Sequence, residues 1–305
     1  MNLILKIKKK IFKLFHHLFH RPYGEILMLH RVVEKRSLLE DNRGLEVTTA
    51  FLEQTILKYK SNGYNLVSLD EVQRQVESKR RGKTKFVCFT FDDGYADNYE
   101  LAYPVFKKHN CPFAIYIATD FPENKALLWH YDLQDVILEN EKLLFNDMEF
   151  DCHDLNQKNR TFRNINDNFF IESDTETNQK ALENLFKENV CTNRHDVKTL
   201  NWEQFIDLAS DPLCTIAAHT VSHPALTLIS DEKIKKELSD GKKIIEDKIK
   251  KPVTHFAYPF GNWDDRVASL AMEIYSTAVT TLHGSVRKGD TLDRLNRKKL
   301  IEETS

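Results

Sequence analysis

The sequence predicts an α/β fold in which parallel strands form one sheet, either open or closed into a barrel. Predicted strands and helices alternate early in the 305-residue chain and again late in it, which is typical of β–α–β units. The run Phe86–Phe91 is apolar apart from one threonine, as in strands buried on both faces. Between about residues 122 and 211 the predicted strands and helices no longer alternate. That segment contains no glycine and is rich in asparagine, and we predict a mainly helical insert packed over the same core.

Each predicted strand is a short apolar run bounded by polar or turn-forming residues. The predicted strands are Glu25–His30, Asn65–Leu69, Phe86–Phe91, Pro112–Thr119, Leu213–His219, Thr254–Tyr258 and Thr277–Leu282.

The predicted helices have apolar residues on one face, and two of them begin at a recognisable cap. Thr48 or Thr49 caps the first helix, and Ser68 with Glu71 forms a capping box before the second. The later helices are Tyr99–His109, Leu127–Leu144, Thr177–Val190, Asn201–Ala209, Asp231–Lys251 and Asp264–Tyr275.

Composition indicates a soluble globular protein, with 41% apolar and 30% charged residues. A formal net charge of −2, with no basic stripe beyond residue 24, disfavours nucleic acid as a partner. The five cysteines are widely spaced and odd in number, which predicts free thiols and a cytoplasmic address.

Residues 1–24 form a separate basic segment, with six lysines or arginines, no acid and apolar residues at helical spacing. Either this amphipathic helix lies on the inner face of an anionic membrane, or it docks on its own domain with a solvated basic face. The lysines interrupt any run that a signal peptide would need. The remaining residues, 25–305, are predicted to be one domain that carries the insert.

Polar residues suited to a metal site follow several predicted strands. Asp92 and Asp93 follow Phe86–Phe91, whereas His219, with His223 four residues on, ends a later strand. One carboxylate and two imidazoles are sensible ligands for a catalytic divalent ion, and a second carboxylate beside them could take a proton from water. A His-x-x-x-His pair is weak evidence by itself, since His16 and His20 show the same spacing in the basic segment. The position of each residue at a strand end strengthens the prediction.

Three motifs in the chain resemble signatures of the polysaccharide deacetylases that contain the NodB homology domain. They are T-F-D-D-G-Y at Thr90–Tyr95, H-T-V-S-H-P at His219–Pro224 and F-A-Y-P-F-G at Phe256–Gly261. M-L-H-R-V at Met28–Val32 and A-V-T-T at Ala278–Thr281 resemble further landmarks of the family. The resemblance spans about Glu25 to Arg297 and is weakest in the insert.

The resemblance implies a distorted (β/α) barrel, usually of seven strands, and metal-dependent removal of acetyl groups from sugars. It implies that Asp92 is the general base and that Asp93, His219 and His223 hold one divalent ion, most often Zn²⁺, with Co²⁺, Ni²⁺ or Mn²⁺ as alternatives. It also implies that the backbone at Pro259 and Phe260 stabilises the oxyanion, a role that a fixed donor can fill.

The chain departs from the family pattern at two places. An arginine that often pairs with the base is Ala257 here, and Arg297 or Arg294 could supply that charge. His283 follows a strand where the general acid is expected, although its flanking residues match poorly, and His30 is a second histidine that could line the site. Three aromatic residues, Trp129, Tyr131 and Trp263, could stack on a sugar or simply belong to the core.

The sequence thus predicts a hydrolase acting on carbon–nitrogen bonds other than peptide bonds, with an acetylated glycan or glycolipid as substrate. Two alternatives stay open. One is an O-acetyl esterase that uses the same metal chemistry, and the other is a non-catalytic carbohydrate-binding protein on the same scaffold. The basic segment favours a lipid-linked or precursor glycan over a secreted polymer.

Overall fold

The computed structural model of the protein describes residues 22–78 and 84–303. Its strands are β1 (Gly24–Leu29), β2 (Arg31–Val33), β3 (Glu46–Thr48), β4 (Asn65–Leu66), β5 (Phe86–Phe91), β6 (Phe113–Ile117), β7 (Lys142–Phe145), β8 (Met148–Asp151), β9 (Cys214–Ala218), β10 (His255–Ala257), β11 (Thr277–His283) and β12 (Leu295–Lys299).

The α-helices lie mainly between these strands. They are α1 (Glu40–Arg43), α2 (Thr49–Ser61), α3 (Leu69–Glu77), α4 (Tyr103–Lys108), α5 (Trp129–Glu139), α6 (Leu155–Ile165), α7 (Thr175–Glu188), α8 (Trp202–Ser210), α9 (Asp231–Ile249) and α10 (Asp265–Met272). The side chains of Thr48 and Ser68 accept hydrogen bonds from the backbone N–H three residues on, as predicted. The reciprocal half of the predicted capping box does not form, because the Glu71 carboxylate contacts Arg74 and Gln75 instead.

Seven parallel strands close into a barrel, which confirms the predicted fold class. Their order is β1, β12, β11, β10, β9, β6 and β5, and β5 pairs again with β1. β4 is a two-residue strand that pairs in parallel with the first two residues of β5. The sequence did not predict β12, because Leu295–Lys299 has no apolar run and carries three basic residues.

Side chains of the barrel strands alternate between its interior and the surrounding helices. On β5, Cys88 packs in the inner cluster together with Tyr116 and Ala217 of neighbouring strands, whereas Val87 and Phe89 pack in the outer cluster under the helices. Asp92 has the same parity as Cys88, so it continues the inward-facing row. The alternation therefore delivers the first aspartate of the pair to the barrel axis.

The insert has an apolar core formed by residues between Leu127 and Cys191 together with Leu39, which precedes α1. It contains α5, α6 and α7 together with the antiparallel hairpin β7–β8. The sequence predicted neither the hairpin nor α6. The helix α8 contributes Phe205 and Leu208 to the barrel core instead, so it belongs with the barrel layer and not with the predicted insert.

The predicted basic helix at residues 1–24 lies outside the described residues except for Pro22–Gly24. Among the helices that the structure describes, none combines the length and the apolar character that a bilayer span requires.

Candidate active site

Polar side chains gather where the parallel strands of the barrel end. Asp92 and Asp93 follow β5, His219 follows β9, and His30 follows β1. Because the carboxyl ends of parallel strands meet at one mouth of a barrel, these residues come together. They line a common cavity of about 900 Å³.

Asp92 forms a buried, bidentate ion pair with Arg297. Both carboxylate oxygens accept hydrogen bonds from the guanidinium, each at 2.6 Å. Arg297 is fully buried on β12, and its Nε donates to the carbonyl oxygen of Thr280. Arg297 therefore supplies the charge that Ala257 does not.

This ion pair fixes the ionisation of Asp92. Burial alone would raise the pKa of the carboxyl, but the charge and the hydrogen bonds of Arg297 outweigh burial and hold the pKa well below its usual range. Asp92 is therefore ionised at neutral pH and has lone pairs left to accept a proton.

Asp93, His219 and His223, which we call the metal triad, place three ligand atoms close together. The Oδ1 atom of Asp93 lies 3.6 Å from Nε2 of His219 and 3.5 Å from Nε2 of His223, and the two Nε2 atoms are 3.1 Å apart. Ligand atoms around a tetrahedral zinc are separated by about 3.3 Å, since each bond is about 2.0–2.1 Å long. The spacing of the triad thus fits one divalent ion.

The protonation of the triad also fits a metal. Nδ1 of His219 is 2.8 Å from the carbonyl oxygen of Ala257, and because a carbonyl only accepts, the proton lies on Nδ1 and leaves a lone pair on Nε2. Burial lowers the pKa of both histidines, which keeps them neutral. Burial, followed by the charge of Asp92, raises the pKa of Asp93 to about 8. A bound cation would therefore stabilise the ionised form of Asp93, which its surroundings disfavour.

Backbone strain is concentrated at this site. Asp93, Thr220, His223 and Phe260 all have positive φ, between 57° and 75°. L-residues other than asparagine and aspartate rarely adopt this conformation, and a β-branched threonine is the most costly case. Three of the four are not Asn or Asp, and they persist because the surrounding packing holds them.

The loop from His219 to His223 is held by the long helix α9. The Glu237 carboxylate accepts hydrogen bonds from the backbone N–H groups of Val221 and Ser222 and from the Ser222 hydroxyl. Gly241 lets α9 approach closely, because a Cβ there would lie 3.0 Å from the backbone of Thr220. A rigid helix therefore sets the distance between the two imidazoles.

The turn after β10 exposes a backbone donor. Pro259–Gly261 forms a short 3-10 turn in which Phe260 has φ 57°. The Phe260 backbone N–H makes no hydrogen bond to any part of the chain that the structure describes. Gly261 is required here, because its φ is +67° and a Cβ would lie 1.9 Å from the Thr281 hydroxyl oxygen.

The structure does not bring every predicted residue to the cavity. The His283 side chain is exposed and lies outside the cavity lining, although β11 is still paired with β12 at this point, His283 opposite Arg297 after a shift of register. This placement does not favour His283 as the general acid. Arg294 pairs with Asp293 and Asp265 near the surface instead of with Asp92.

The three aromatic candidates also separate. Trp129 lines the cavity, whereas Tyr131 is buried behind it and Trp263 packs against Tyr258 and Arg294. Pro259 is buried beneath the turn and Phe260 lines the cavity.

Sequence reasoning missed the polar residues that the insert contributes. His130 lines the cavity, and its Nε2 is 3.0 Å from the hydroxyl of the buried Tyr95. Asn178 of α7 also reaches the cavity. The local sequence offered no signal for either residue, since both lie on helices far from the three motifs.

Comparison with known proteins agrees with this geometry. A family model described as polysaccharide deacetylase matches residues 79–279. The Bacillus subtilis (strain 168) protein YxkH, whose name assigns it to the polysaccharide deacetylases, is 21% identical over 276 residues, which are 90% of this chain and 70% of YxkH. Chitin deacetylase 1 of Cryptococcus neoformans is 41% identical over 64 residues, 21% of this chain and 14% of that protein.

The fold is also found in a solved structure. The Streptococcus pyogenes deacetylase PplD, solved in complex with acetate, superposes with a TM-score of 0.63 at 21% identity, covering 91% of this chain and 92% of PplD.

Proposed function

This chain belongs to the polysaccharide deacetylase family, and on that premise we propose that it is a metal-dependent hydrolase that removes N-acetyl groups from a carbohydrate. The observation that carries the proposal is the pairing of two adjacent carboxylates with different partners. Asp93 faces two neutral imidazoles, while Asp92 is held by Arg297 beside them. A protein that only binds carbohydrate has no use for a second ionised carboxylate next to a metal site.

The metal triad would hold the ion, with Zn²⁺ the best match to its N₂O ligands and spacing. A bound divalent ion would supply Lewis acidity to the acetyl carbonyl and would lower the pKa of a nearby water. Every other step belongs to side chains and backbone groups of the chain itself.

Asp92 is the group we assign as general base. Its carboxylate is ionised and oriented by Arg297, so it accepts the proton of the attacking water without having to reorient. The free N–H of Phe260 is assigned to the carbonyl oxygen, where negative charge develops as the carbon becomes tetrahedral.

His30 replaces His283 as the histidine that protonates the leaving amine. It lines the cavity, although its Nδ1 is buried and has no hydrogen-bond partner among the described residues. Burial lowers the pKa of His30 to about 4, although the charge of Asp92 opposes this shift. His30 is therefore neutral at neutral pH, and we propose that it receives the proton that Asp92 takes from the water before it protonates the amine.

One observation favours N-acetyl over O-acetyl groups. A relative is named for chitin, which is an N-acetylated glycan.

The proposal is tested by metal analysis and acetate release. Metal-depleted protein is reloaded separately with Zn²⁺, Co²⁺, Ni²⁺ or Mn²⁺ and given N-acetylated and O-acetylated glycans. We expect one ion per chain and acetate from the N-acetylated substrates. Asp92→Asn should retain the ion and lose acetate release by about 10²–10⁴-fold, the usual contribution of a general base.

The alternatives give different results in the same experiment. Faster release from O-acetylated glycans would identify an esterase. Glycan binding without acetate from any substrate would indicate a non-catalytic binding protein and would contradict the proposal.

We further propose that the protein works in the cytoplasm on a glycolipid or precursor glycan, with residues 1–24 on the inner face of the membrane. The five free cysteines and the basic segment support this address. Sedimentation of the full chain with anionic vesicles, but not of a chain lacking residues 1–21, is the expected result.

A further inference from the structure

His30 is the single residue between two strands that belong to different sheets. β1 ends at Leu29 in the barrel sheet, and β2 begins at Arg31 in a separate two-stranded sheet with β3. The Leu29 carbonyl oxygen accepts a hydrogen bond from the N–H of Asp92, so this junction starts beside the general base. The direction of the His30 side chain therefore depends on what holds the chain where it leaves the barrel.

Two consecutive residues, Asp97 and Asn98, hold the three residues that begin at His30. Nδ2 of Asn98 donates to the carbonyl oxygen of His30 at 2.9 Å. The Asp97 carboxylate accepts hydrogen bonds from Nε of Arg31 at 2.7 Å and from the N–H of Val32 at 3.1 Å. The chain is thus fixed at His30 itself and at both residues that follow it.

The amide of Asn98 has a fixed orientation, and one of its atoms is left without a partner. Nδ2 also donates to the Asp97 carboxylate at 3.1 Å, and because both partners of Nδ2 accept, Oδ1 is the remaining atom. Asn98 is fully buried, and its Oδ1 has no hydrogen-bond partner within residues 22–78 and 84–303. A buried, unpaired oxygen destabilises the fold, whereas an apolar side chain of the same shape would not. Stability alone does not account for an asparagine at this position, but its hydrogen bond to His30 does.

Asp97 and Asn98 lie close in sequence to the residues that carry the proposed chemistry. Asn98 begins a short π-helix, Asn98–Ala102, and such helices are rare and frequently mark functional sites. The strand before it delivers Asp92 and Asp93 to the barrel mouth. One short segment therefore contains the general base, a metal ligand and the two residues that hold His30.

We propose that Asn98 is a positioning residue for the reaction, which directs the His30 imidazole toward the leaving amine by holding the His30 carbonyl. The inference rests on the proposed deacetylase function and on His30 as its proton donor. Asn98 lies outside the cavity lining, so it acts through His30 and does not touch the substrate. Because proton transfer needs heavy atoms within about 2.6–3.2 Å of each other, a small displacement of His30 slows this step and leaves substrate binding unchanged.

The test compares two substrates that differ in their need for a proton donor. Zinc-loaded wild type, Asn98→Ala, Asn98→Leu and His30→Gln are assayed for acetate release from N-acetylglucosamine oligosaccharides and from 4-nitrophenyl acetate. The sugar amine must be protonated as it leaves, whereas 4-nitrophenolate leaves as an anion. Asn98→Leu keeps the side-chain volume, so it separates loss of the hydrogen bond from the effect of a cavity.

A matched control and a double variant complete the experiment. Tyr99→Phe is the control, because Tyr99 follows Asn98 on the same helix and its hydroxyl pairs with Asp207 at the surface. Asn98→Ala is also combined with His30→Gln, since two residues that act through one another do not have additive effects. Thermal unfolding and competition with a chelator measure the fold and the zinc affinity of every variant.

We expect both Asn98 variants to lower kcat for the oligosaccharides about tenfold, as for the loss of one buried hydrogen bond. KM, zinc affinity and the rate with 4-nitrophenyl acetate should change by no more than about twofold. In the His30→Gln background, Asn98→Ala should lower kcat by no more than about a further twofold. Tyr99→Phe should match wild type.

Other results overturn the inference in distinguishable ways. Wild-type kcat in the Asn98 variants, or the same tenfold loss with and without His30, would refute a role for Asn98 through His30. Equal losses on the two substrates, or weaker zinc binding, would identify a structural role instead. A His30→Gln variant with wild-type kcat would remove both the proton donor and the inference. No acetate from any oligosaccharide would refute the proposed function itself.

Discussion

Replacing Arg297 by methionine should be among the most damaging single changes in the barrel. The substitution removes two 2.6 Å charge-assisted hydrogen bonds and leaves the Asp92 carboxylate buried without a counter-charge. Breaking a buried ion pair by removing one partner costs about 3–5 kcal/mol of the free energy of unfolding. Arg294→Met is the matched control, because Arg294 pairs at the surface, where an ion pair is worth about 1 kcal/mol or less.

The contribution of Asp92 to the pH dependence of stability should change, and it is read as the difference between variant and wild type because the raised pKa of Asp93 is common to both. In the wild type the pKa of Asp92 is lowered, so the ion pair stabilises the fold above the unfolded-state pKa of about 3.9 and that contribution is lost as the pH falls through the folded pKa. Without Arg297, burial is no longer outweighed and the pKa of Asp92 rises above 3.9. The variant should then be least stable near neutral pH and should regain stability as the pH falls.

Urea unfolding of metal-depleted protein at pH 5 and pH 7.5 measures both effects. Asp92→Asn combined with Arg297→Met should be less destabilised than Arg297→Met alone, because no buried charge then lacks a partner. If Arg297→Met lost no more stability than Arg294→Met, or if its stability did not increase toward pH 5 by more than that of the wild type, the assignment of Arg297 as the counter-charge of Asp92 would be refuted.

Three further predictions concern the turn, the proton donor and the ion. In thermal unfolding, Gly261→Ala should destabilise the fold by more than Gly63→Ala. Both glycines have positive φ, but only a Cβ at Gly261 would clash, with the Thr281 hydroxyl, and equal losses would contradict this. His30→Gln should lower kcat by about 10²-fold while His283→Gln leaves it unchanged, and the reverse result would restore His283 as the acid. Zinc added to metal-depleted protein should raise Tm by several degrees, since a ligand that binds only the folded state stabilises it, and the gain should vanish when His223 is replaced by glutamine.

The strained backbone explains why the paired aspartates serve different partners. On a regular strand, adjacent side chains point to opposite faces, so Asp92 and Asp93 could not both reach the barrel mouth. The strand ends at Phe91, and the positive φ of Asp93 turns its carboxylate toward the two imidazoles. The sequence showed that the two aspartate side chains must point in different directions. The turn conformation decides that Asp93 is the one that faces the two imidazoles.

The sequence by itself determined the repeating α/β architecture, the strand ends and the residues that crowd there. These features are local, because an apolar run, a cap or a motif such as Asp92-Asp93-Gly94 is recognised from residues that are adjacent in the sequence. Only the tertiary structure showed that the sheet closes through β12, a barrel strand whose sequence is too polar to be predicted as one. It also showed that Arg297 pairs with Asp92, which lies 205 positions earlier in the sequence. It also placed His30, Trp129 and Asn178 along the cavity and left His283 outside the cavity lining. Such contacts depend on the closure of the barrel and on the docking of the insert, and no local periodicity records which distant side chains that packing brings within a few ångströms.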